Sequence, residues 1–377
     1  MKTKQLPEGW KEIELGEITE FQTKSKIKAG EGNEEGKYKF FTSSDKQSKF
    51  IDKYNHNGEF LIFATGGHAG VHYCNEKFAT STDCFIVKII DKIMTKYIYY
   101  YLSGQISLLE DGFKGAGLKH LSKNYLGQIK ISYPEDKKTQ KQIVSILEKA
   151  EELKEKREEA DKLTKEYLQS VFYEMFYNKG FEEVELGTVC EFNPKKAEIR
   201  DVNKNLEVSF VPMADVQEHQ IYFNLKGTEK IRDIFSGYTY FKEKDVLLAK
   251  VTPCFENGKS GIAKNLKNGI GFGSSEFFVL RPSNKILSHL IYYLISSSKF
   301  IKAGKRQMSG TGGLKRLSKN YVTEYKLPLP PLPLQQKFAS IVEQVEKLKE
   351  KQQKSKEDID ELFNSLMQKA FNEGLVR

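Results

Sequence analysis

The sequence lacks any apolar run that approaches the length of a membrane-spanning helix, and its N-terminus, MKTKQLPEGW, lacks the features of a secretory signal. Only four cysteines occur among 377 residues, and no two of them form a C-x-x-C pair. These absences argue against an integral membrane protein and against a secreted scaffold held by disulfides. We therefore expect a protein of the reducing cytoplasm, without a membrane partner.

Catalytic signatures are also missing. ENGKSG (256–261) contains the GKS of a phosphate-binding loop, but Pro253 stands where that loop requires a glycine. TGGHAG (65–70) is rich in glycine but does not match G-x-G-x-x-G. The N-P-P-aromatic tetrapeptide of amino-methyltransferases does not occur, and no pair of carboxylates is singled out for acid–base chemistry. The sequence predicts no catalytic residue and no cofactor of its own.

One group of residues resembles a metal site at first sight. His68, His72, Cys74 and Cys84 lie within 17 residues of each other. Their spacing matches no common structural zinc pattern, and the second half of the chain has no equivalent group of histidines. We therefore favour ordinary strand and loop roles for these residues and predict no metal.

What the sequence does contain is a long internal repeat. LKHLSKNY (118–125) returns as LKRLSKNY (314–321), with seven of eight positions identical. GWKEIELGEITEF (9–21) is similar to GFEEVELGTVCEF (180–192), and the charged segment 139–156 is similar to 334–351. The repeat is far longer than a solenoid unit, so it indicates a duplicated domain with its helix. Two similar halves in one chain favour pseudo-twofold symmetry and a target with two parts.

The predicted fold class is α+β, with two globular domains in a pseudo-twofold arrangement joined by two long helices. Short apolar runs separated by Gly-rich turns predict strands in each globular part. The two LSKNY blocks lie 196 residues apart and the opening blocks 171, so the second globular domain is about 25 residues longer. The predicted boundaries are 1–136 for the first globular domain, 137–177 for the first helix, 178–333 for the second globular domain and 334–377 for the second helix.

The two helical segments contain a repeating apolar seam. Segment 137–176 has no glycine or proline, and its apolar residues alternate at spacings of three and four. We expect the two helices to form an antiparallel coiled coil; the alternative is two separate helices that each cover their own domain. The predicted seam residues are Ile143, Ile146, Ala150, Leu153, Tyr167, Phe338, Ile341, Val345, Leu348, Ile359 and Leu362.

Positive charge is concentrated in the globular parts. The chain has a formal net charge of +9, whereas segment 137–176 has nine basic and nine acidic residues and segment 334–371 has seven of each. The whole surplus therefore lies outside the helices. Basic globular parts favour contact with a polyanion, most simply nucleic acid. A generally basic soluble protein remains the alternative on charge alone.

Polar, basic loops with glycines occur in both globular domains, at 24–28, 41–49, 65–70, 113–117, 193–196, 249–261 and 304–313. Lysine and arginine meet phosphates, while Arg, Gln, Asn, Ser and Thr read base edges. Arg306 and Gln307 are the most suggestive pair, because Arg pairs with guanine and Gln with adenine in a bidentate way. The candidate DNA-binding residues are Lys24, Lys26, Ser43, Ser44, Lys46, Thr65, His68, Lys114, Lys195, Lys196, Lys250, Thr252, Asn257, Lys259, Arg306, Gln307 and Thr311.

The chain resembles the specificity (S) subunits of Type I restriction–modification systems over essentially its whole length. The resemblance rests on the globular–helix–globular–helix order, the doubled LK(H/R)LSKNY blocks and PLPPLPLQQK (328–337) before the second helix. It rests also on DVLLAKVTPCFENGKSGIAKNLKNGIGFGSSEFFVLRP (245–282), which is similar to a common class of target-recognition domain. The first half departs from this pattern, since YPEDKKTQK (133–141) lacks the proline-rich lead-in of the second half, and we expect Thr139 to cap the first helix there.

The resemblance implies a non-catalytic subunit of a prokaryotic cytoplasmic enzyme. Each globular domain would read one half of a bipartite site in double-stranded DNA, and the helices would set the distance between the half-sites. Two modification subunits, which bring S-adenosylmethionine and methylate adenine, would dock on this chain, and restriction subunits would join them. Alternatives are the specificity part of a related system with a different methyltransferase or nuclease partner, an enzyme with its own nuclease or methyltransferase activity, and a coiled-coil scaffold that binds no DNA.

Overall fold

The computed structural model describes residues 6–90, 92–115, 119–177, 179–311 and 313–373. The chain divides into two compact units: unit 1 comprises residues 1–159 and 352–377, and unit 2 comprises residues 160–351. Each unit therefore contains one globular domain and a part of each long helix. Within the described ranges, no helix is long and apolar enough to span a bilayer.

Unit 1 is built around one six-stranded sheet. Its strands are β1 (Trp10–Glu14), β2 (Thr19–Phe21), β3 (Tyr38–Phe41), β4 (Lys49–Ile51), β5 (His56–Ala64), β6 (Val71–Thr80), β7 (Cys84–Ile89), β8 (Phe113–Lys114), β9 (His120–Leu121) and β10 (Lys130–Pro134). The sheet order is β2-β7-β5-β6-β3-β4, in which only β3 and β6 run parallel. The outer pairs β1-β10 and β8-β9 are antiparallel.

Three short helices accompany this sheet: α1 (Thr95–Gly104), α2 (Ser107–Glu110) and α3 (Lys123–Gln128). The sequence predicts one helix over about 95–110; in the structure it ends at Gly104 and a separate turn follows. Both faces of the sheet are buried, which explains the continuous apolar run of β5. One face packs on α1 and the long helices through Leu61, Phe63 and Val87, and the other carries a second cluster around Ile62, Phe78 and Ile86.

Unit 2 contains two four-stranded sheets. Its strands are β11 (Glu183–Glu185), β12 (Cys190–Phe192), β13 (Glu207–Val211), β14 (Gly227–Lys230), β15 (Thr239–Lys242), β16 (Val246–Ala249), β17 (Ser260–Ile262), β18 (Ile270–Gly273), β19 (Phe277–Pro282) and β20 (Lys326–Pro328). The sheet orders are β12-β19-β16-β17 and β14-β13-β18-β15. The short helices of unit 2 are α5 (Leu186–Val189), α6 (Ile231–Ile234), α7 (Ser288–Ile295), α8 (Ser298–Arg306) and α9 (Lys319–Thr323).

The two units share one strand plan despite this difference. The parallel pair β3-β6 of unit 1 corresponds to the parallel pair β13-β18 of unit 2. The long strand β5 corresponds to β15 and β16 together, and the long strand β6 to β17 and β18 together. The longer second domain therefore arises partly from two interrupted strands, which divide one sheet into two.

The long helices are α4 (Lys137–Phe176) and α10 (Leu332–Gln368), and a π-helical turn (Lys369–Glu373) follows α10. The expected Thr139 cap of α4 is wrong. Asp136 is the capping residue, because its carboxylate accepts the N–H of Lys138 at 3.1 Å, the N–H of Thr139 at 3.0 Å and the Thr139 hydroxyl at 2.9 Å. The structure confirms the predicted mixed architecture of sheets with long helices.

The first turn of each long helix is held in the same way in both units. The buried side chain of Gln140 accepts the Met94 N–H and donates to the Pro134 carbonyl. Gln335, 195 positions later, accepts the Leu287 N–H and donates to the Pro330 carbonyl. The helix starts are thus equivalent, although the first lacks the proline-rich lead-in.

The helix segments run antiparallel within each unit. In unit 1 the Lys154 ammonium lies 2.8 Å from the Asp360 carboxylate, and Ile143, near the start of α4, belongs to the same buried cluster as Met367, near the end of α10. In unit 2 the ring of Phe338 packs 5.2 Å from that of Phe176 and 5.5 Å from that of Phe172. The start of one helix therefore lies near the end of the other in each unit, in agreement with the predicted antiparallel pair.

Every second predicted seam position is a buried or half-buried one. At the other positions, the more buried residue is the one that follows the predicted residue in the sequence. Ile143, Ala150, Phe338 and Val345 are buried, and Ile146, Ile341 and Ile359 are half-buried. Leu153, Tyr167, Leu348 and Leu362 are instead 47% to 52% exposed. The buried alternates are Leu147, Leu168 and Val342, with the half-buried Lys154 and Lys349 in the same register.

The physical reason for the displacement is that apolar residues are adjacent at the alternate positions. Ile146 stands beside Leu147, Tyr167 beside Leu168 and Ile341 beside Val342, so helical periodicity allows either choice. The second member of each pair joins the cluster formed with the globular domain. The first member is less buried, since Ile146 and Ile341 are half-buried and Tyr167 is 52% exposed.

Candidate nucleic-acid interface

Several predicted loops of unit 1 meet at one edge of its sheet. The Thr65 N–H and hydroxyl both donate to the Asp83 carbonyl, at 3.1 and 2.8 Å, and the Ser43 hydroxyl donates to the same carbonyl. His72 Nε2 lies 2.8 Å from the Ser44 carbonyl oxygen. His120 joins them, since its Nδ1 lies 3.1 Å from the Thr65 carbonyl oxygen. We call the segments 42–48, 65–70, 113–115 and 119–120 the unit 1 loop edge.

Unit 2 has an equivalent edge, formed by the segments 250–259, 274–276, 305–311 and 313–316. The Lys250 N–H donates to the Glu276 carbonyl at 2.9 Å, and the Thr252 N–H donates to the Lys315 carbonyl at 3.0 Å. The Thr252 hydroxyl also donates to the Gly313 carbonyl at 3.0 Å and accepts the Lys315 N–H at 2.9 Å. We call these loops the unit 2 loop edge.

The two loop edges share a backbone framework. The Leu121 N–H donates to the Thr65 carbonyl at 3.1 Å, and the Leu317 N–H donates to the Lys250 carbonyl at 2.7 Å. An isolated bridge follows at the next residue in each unit, between Gly66 and His120 and between Val251 and Arg316. The framework is therefore conserved between the copies while the side chains on it differ. Such an arrangement suits two readers with different targets.

The candidate residues of the first domain lie at or beside the unit 1 loop edge. Lys46, His68 and Lys114 are exposed there, whereas Ser43 and Ser44 are half-buried. Thr65 is 7% exposed and its hydroxyl is bound within the edge, so the structure gives it a positioning contact instead of a free surface. Lys24 and Lys26 are exposed on the adjacent segment, where the Lys24 ammonium lies 5.1 Å from the centre of the Phe85 ring. Ala116 and Gly117 of the predicted loop 113–117 lie outside the described residues.

In the second domain, the candidates divide into exposed and engaged side chains. Lys195, Asn257, Arg306, Gln307 and Thr311 are exposed, and Asn257 also donates its side-chain amide to Glu218 Oε1 at 2.7 Å. The engaged residues each hold another loop: the Lys250 ammonium donates to the Ser275 carbonyl, Lys259 to the Met213 carbonyl and Lys196 to the Phe235 carbonyl. Burial also lowers the pKa of Lys196. Gly312 of the predicted loop 304–313 lies outside the described residues.

The sequence interpretation missed the position that differs between the repeated blocks. His120 and Arg316 are the only non-identical pair in LK(H/R)LSKNY, and both are exposed on their loop edges. The neighbouring block residues are structural, because Ser122 and Ser318 cap α3 and α9 through the N–H groups of Tyr125 and Tyr321. The single substitution in an otherwise identical block was the signal that marked this position.

A matching cluster fixes each globular domain to a long helix. In unit 1 the Lys96 ammonium lies 2.8 Å from the Glu148 carboxylate and 5.1 Å from the centre of the Tyr73 ring. In unit 2 the Lys264 ammonium lies 2.8 Å from the Glu343 carboxylate and 4.0 Å from the centre of the Tyr222 ring. Glu148 and Glu343 occupy equivalent helix positions, so the same device holds both domains.

The unit 2 cluster carries shifted pKa values. Tyr222 also donates its hydroxyl to Glu343 and lies 3.0 Å from His289 Nε2. Burial opposes the ionised form of Glu343, but the Lys264 ammonium and the Tyr222 hydroxyl hold its pKa below the usual range. Burial lowers the pKa of His289. Each of these side chains is bound by another member of the cluster, so the cluster has a structural role.

The residues weighed as a metal site occupy separate environments. His72 is bound to the Ser44 carbonyl, Cys74 and Cys84 are buried, and His68 is exposed. No group of three or more potential metal ligands occurs within the described ranges. Among the described residues, these four side chains have the contacts of ordinary strand and loop residues.

The sequence of this chain matches the model of a known protein family. The family described as Type I restriction modification DNA specificity domain matches the chain over residues 7–163 and 178–360. The chain belongs to this family. The two matched segments contain the two repeats, each with its strands and most of its long helix.

Individual relatives show the same relationship. The EcoDI specificity subunit of Escherichia coli is 22% identical over 408 residues, which cover 98% of this chain and 90% of that protein. The MjaVIII specificity subunit of Methanocaldococcus jannaschii is 25% identical over 394 residues, covering 96% of this chain and 92% of that protein. The EcoAI specificity subunit of E. coli is 36% identical over 160 residues, but the match spans only 27% of that protein and 42% of this chain.

Solved structures agree on the fold. The Type I restriction–modification S subunit of M. genitalium superposes with a TM-score of 0.57 at 17% identity, covering 96% of both chains. A chain from a structure of Type I restriction–modification complex assembly and conformational transition gives a TM-score of 0.56 at 16% identity, covering 98% of this chain and 100% of that one. At these identities the likeness establishes the fold alone.

Proposed function

We propose that this chain is the DNA-recognition subunit of a Type I restriction–modification enzyme, in which each unit reads one half of a bipartite target. The observation that carries the proposal is the pair of loop edges, which share one hydrogen-bonded framework and present different side chains. One framework with two sets of side chains predicts two half-sites of different sequence. The surplus of positive charge outside the helices supports contact with phosphates.

The proposed role of the chain is binding, not chemistry. Methyl transfer to adenine belongs in this proposal to two modification subunits, which bring S-adenosylmethionine, and cleavage belongs to restriction subunits. The engaged side chains of the loop edges support this division, because Thr65, Lys250 and Thr252 hold neighbouring loops in place. Their hydrogen bonds fix the loops of the two edges, and none of these hydrogen bonds joins a nucleophile to a base.

The outer edges of the long helices are the proposed docking sites for the modification subunits. Unit 1 exposes Leu153 and Leu362, and unit 2 exposes Tyr167 and Leu348. Leu153 and Leu348 occupy equivalent positions on the two helices, as do Tyr167 and Leu362. In each unit one exposed apolar side chain on each of two neighbouring helices favours an added partner surface, and two equivalent edges fit two equal partners.

The function is tested by mapping adenine methylation in a host that expresses the modification partner with and without this chain. We expect methylation at a bipartite motif that appears only with the chain present. Methylation that appears without the chain, or that has no sequence preference, would contradict the proposal. Purified chain incubated alone with duplex DNA and S-adenosylmethionine should transfer no methyl group, and transfer would favour the alternative of an enzyme.

The distance between half-sites provides a second test. Adding one heptad to each long helix at equivalent positions keeps the seam in register and moves the domains along the helix pair. We expect the unspecific spacer of the methylated motif to lengthen while both half-site sequences are retained. A matched control variant adds seven Gly/Ser residues after residue 373, where the spacing should not change.

A further inference from the structure

Arg316 stands at the one position where the repeated LK(H/R)LSKNY block differs, and its surroundings are rigid. The following residue, Leu317, is 3% exposed and donates its N–H to the Lys250 carbonyl at 2.7 Å. The next, Ser318, caps α9, while the N–H and carbonyl of Arg316 itself bond to Ser309 at 2.8 and 3.1 Å. The backbone of Arg316 is therefore fixed on both sides, although its side chain is 48% exposed.

Glu276 holds the guanidinium of Arg316 from one side. Arg316 Nε donates to Glu276 Oε2 at 3.0 Å, and Nη2 donates to Oε1 at 2.7 Å. Glu276 is itself fixed, since its N–H bonds to the Ser274 hydroxyl and its carbonyl accepts the Lys250 N–H. Arg316 holds the pKa of Glu276 below its usual range, so this carboxylate is ionised at neutral pH.

The geometry of this pair leaves a second donor edge. A guanidinium has five N–H groups, and the carboxylate occupies the edge formed by Nε and Nη2. The other edge, formed by Nη1 and the second N–H of Nη2, is a planar fork of two parallel donors. Such a fork matches guanine O6 and N7 in the major groove, the commonest specific contact of arginine with a base.

We propose that Arg316 reads a guanine in the half-site bound by unit 2, and that Glu276 is a positioning residue which orients its free donor edge. This inference rests on the proposed function. The side chain is pre-organised before DNA binds, which reduces the ordering entropy that binding costs. Arg306 provides the contrast, since it ends α8 on an exposed surface without a carboxylate contact among the described residues.

The equivalent position of unit 1 offers different chemistry. His120 Nδ1 lies 3.1 Å from the Thr65 carbonyl oxygen, so this nitrogen carries the proton and donates. Nε2 then remains as one polar atom instead of a fork. The same framework thus presents a bidentate donor in one unit and a single atom in the other, which predicts that the guanine contact belongs to one half-site.

The test begins with the wild-type chain assembled with its modification subunits and a library of randomised duplexes. Arg316→Lys keeps the charge and removes the fork. We expect it to lose preference for one G·C pair of one half-site by about 5- to 150-fold, while all other positions keep theirs. Glu276→Gln should weaken the same position by a smaller factor, and His120→Ala, the matched control in the other unit, should leave it unchanged.

A base analogue separates reading from a structural role. Replacing the selected guanine by 7-deazaguanine removes the N7 acceptor and keeps the base pair. It should weaken binding of the wild-type complex and leave the already weakened Arg316→Lys complex unaffected. Equal sensitivity of both complexes would overturn the inference, as would an Arg316→Lys complex with uniform loss on all duplexes or with unchanged preferences. Selection of no motif by the wild type would instead overturn the proposed function itself.

Discussion

The two globular domains carry the same strand plan in different forms, and the location of the difference is informative. Unit 1 has one six-stranded sheet in which β5 and β6 are continuous, whereas unit 2 interrupts both equivalent strands and has two sheets of four. The helix attachments and the backbone framework of the loop edges are the same in both. Divergence after duplication has therefore altered the body of the second domain without moving the surface proposed to meet DNA.

Local backbone chemistry explains the interrupted strands. Lys244, Asn265 and Asn268 have positive φ values of 71°, 59° and 56°, a conformation in which a strand cannot continue. Asparagine tolerates this region better than most residues, and Asn268 is followed by Gly269, also at positive φ. The segment KNLKNG (264–269) therefore ends one strand and begins the next.

The largest expected effect tests what braces this interruption. Asp245 is 1% exposed and binds the Arg281 guanidinium at 2.9 and 2.8 Å. Burial raises the pKa of Asp245, but the bidentate contact with Arg281 favours its ionised form. Asp245→Ala leaves Arg281 Nε, Arg281 Nη2 and the Lys242 N–H without their acceptor, while Glu198 still accepts from Arg281 Nη1 at 2.7 and 2.8 Å. Because three donors lose their acceptor, we expect unit 2 to lose about 3 to 5 kcal/mol of stability.

Hydrogen exchange measured on peptides of each unit separates the outcomes for Asp245→Ala. Peptides from β15, β16 and β19 should exchange faster, while those from the continuous sheet of unit 1 should not change. Glu207→Ala, which removes an exposed ion pair with Lys267, is the control and should have little effect. Equal acceleration in both units would show that the brace is not specific to the interrupted sheet.

The next effect compares a buried and an exposed position on one helix turn. Leu168 is 2% exposed and its neighbour Tyr167 is 52% exposed. Leu168→Ala should cost about 2 to 5 kcal/mol by leaving a cavity, whereas Tyr167→Ala should stay within about 0.5 kcal/mol. Thermal melting measures both, and a larger loss for Tyr167→Ala would restore the seam register first predicted from the sequence.

For binding of the modification subunit, we expect the exposed helix positions to matter more than the buried ones. Leu348→Lys places a charge on an exposed edge, so melting should be nearly unchanged while affinity for the modification subunit falls. Pulldown with that subunit, compared with the exposed but polar control Gln353→Lys, measures the difference. Loss of melting temperature without loss of binding would contradict the proposed docking edge.

A smaller effect tests the equivalence of the repeated blocks. Ser122 and Ser318 accept the N–H of Tyr125 at 3.1 Å and of Tyr321 at 3.2 Å. Each Ser→Ala substitution should cost about 1 kcal/mol in its own unit. Denaturant unfolding should give similar losses for the two variants, and a clearly unequal pair would mean that the blocks no longer have the same structural role.

The smallest effect concerns pH. Burial lowers the pKa of His56 and His72 in unit 1 and of His289 in unit 2. The unfolded chain binds protons more readily at these sites, so this stability is complete above about pH 6.5 and is lost as the pH falls through the lowered values. Melting at pH 7.5 and 5.5 should show the loss, and His289→Gln should reduce it in unit 2 alone.

The duplication made much of the fold predictable. The repeated LSKNY blocks, the similar opening segments at 9–21 and 180–192, and the two long helices all lie at equivalent places in the two units. The helix seam was only half predictable, because adjacent apolar residues such as Tyr167 and Leu168 satisfy the same periodicity. Which of them is buried depends on the globular domain packed beside the helix.

The candidate interface was less predictable than the fold. Composition located the loops, yet it did not separate exposed Lys46 from buried Thr65, since that depends on the Asp83 carbonyl in the turn between β6 and β7. Arg316 was missed because it lies in a block that otherwise looks like scaffold. Its importance follows from Glu276, 40 residues away in sequence and 2.7 Å away in space.

The claim that each unit reads its own half-site is tested most directly by one selection experiment. Randomised duplexes are selected with the wild-type complex and with a complex that carries Arg306→Ala and Gln307→Ala, both exposed on unit 2. We expect the wild type to select two conserved blocks separated by an unspecific spacer, and the double variant to change one block while it preserves the other and the spacer. Equal changes in both blocks, or a single continuous motif for the wild type, would contradict the account.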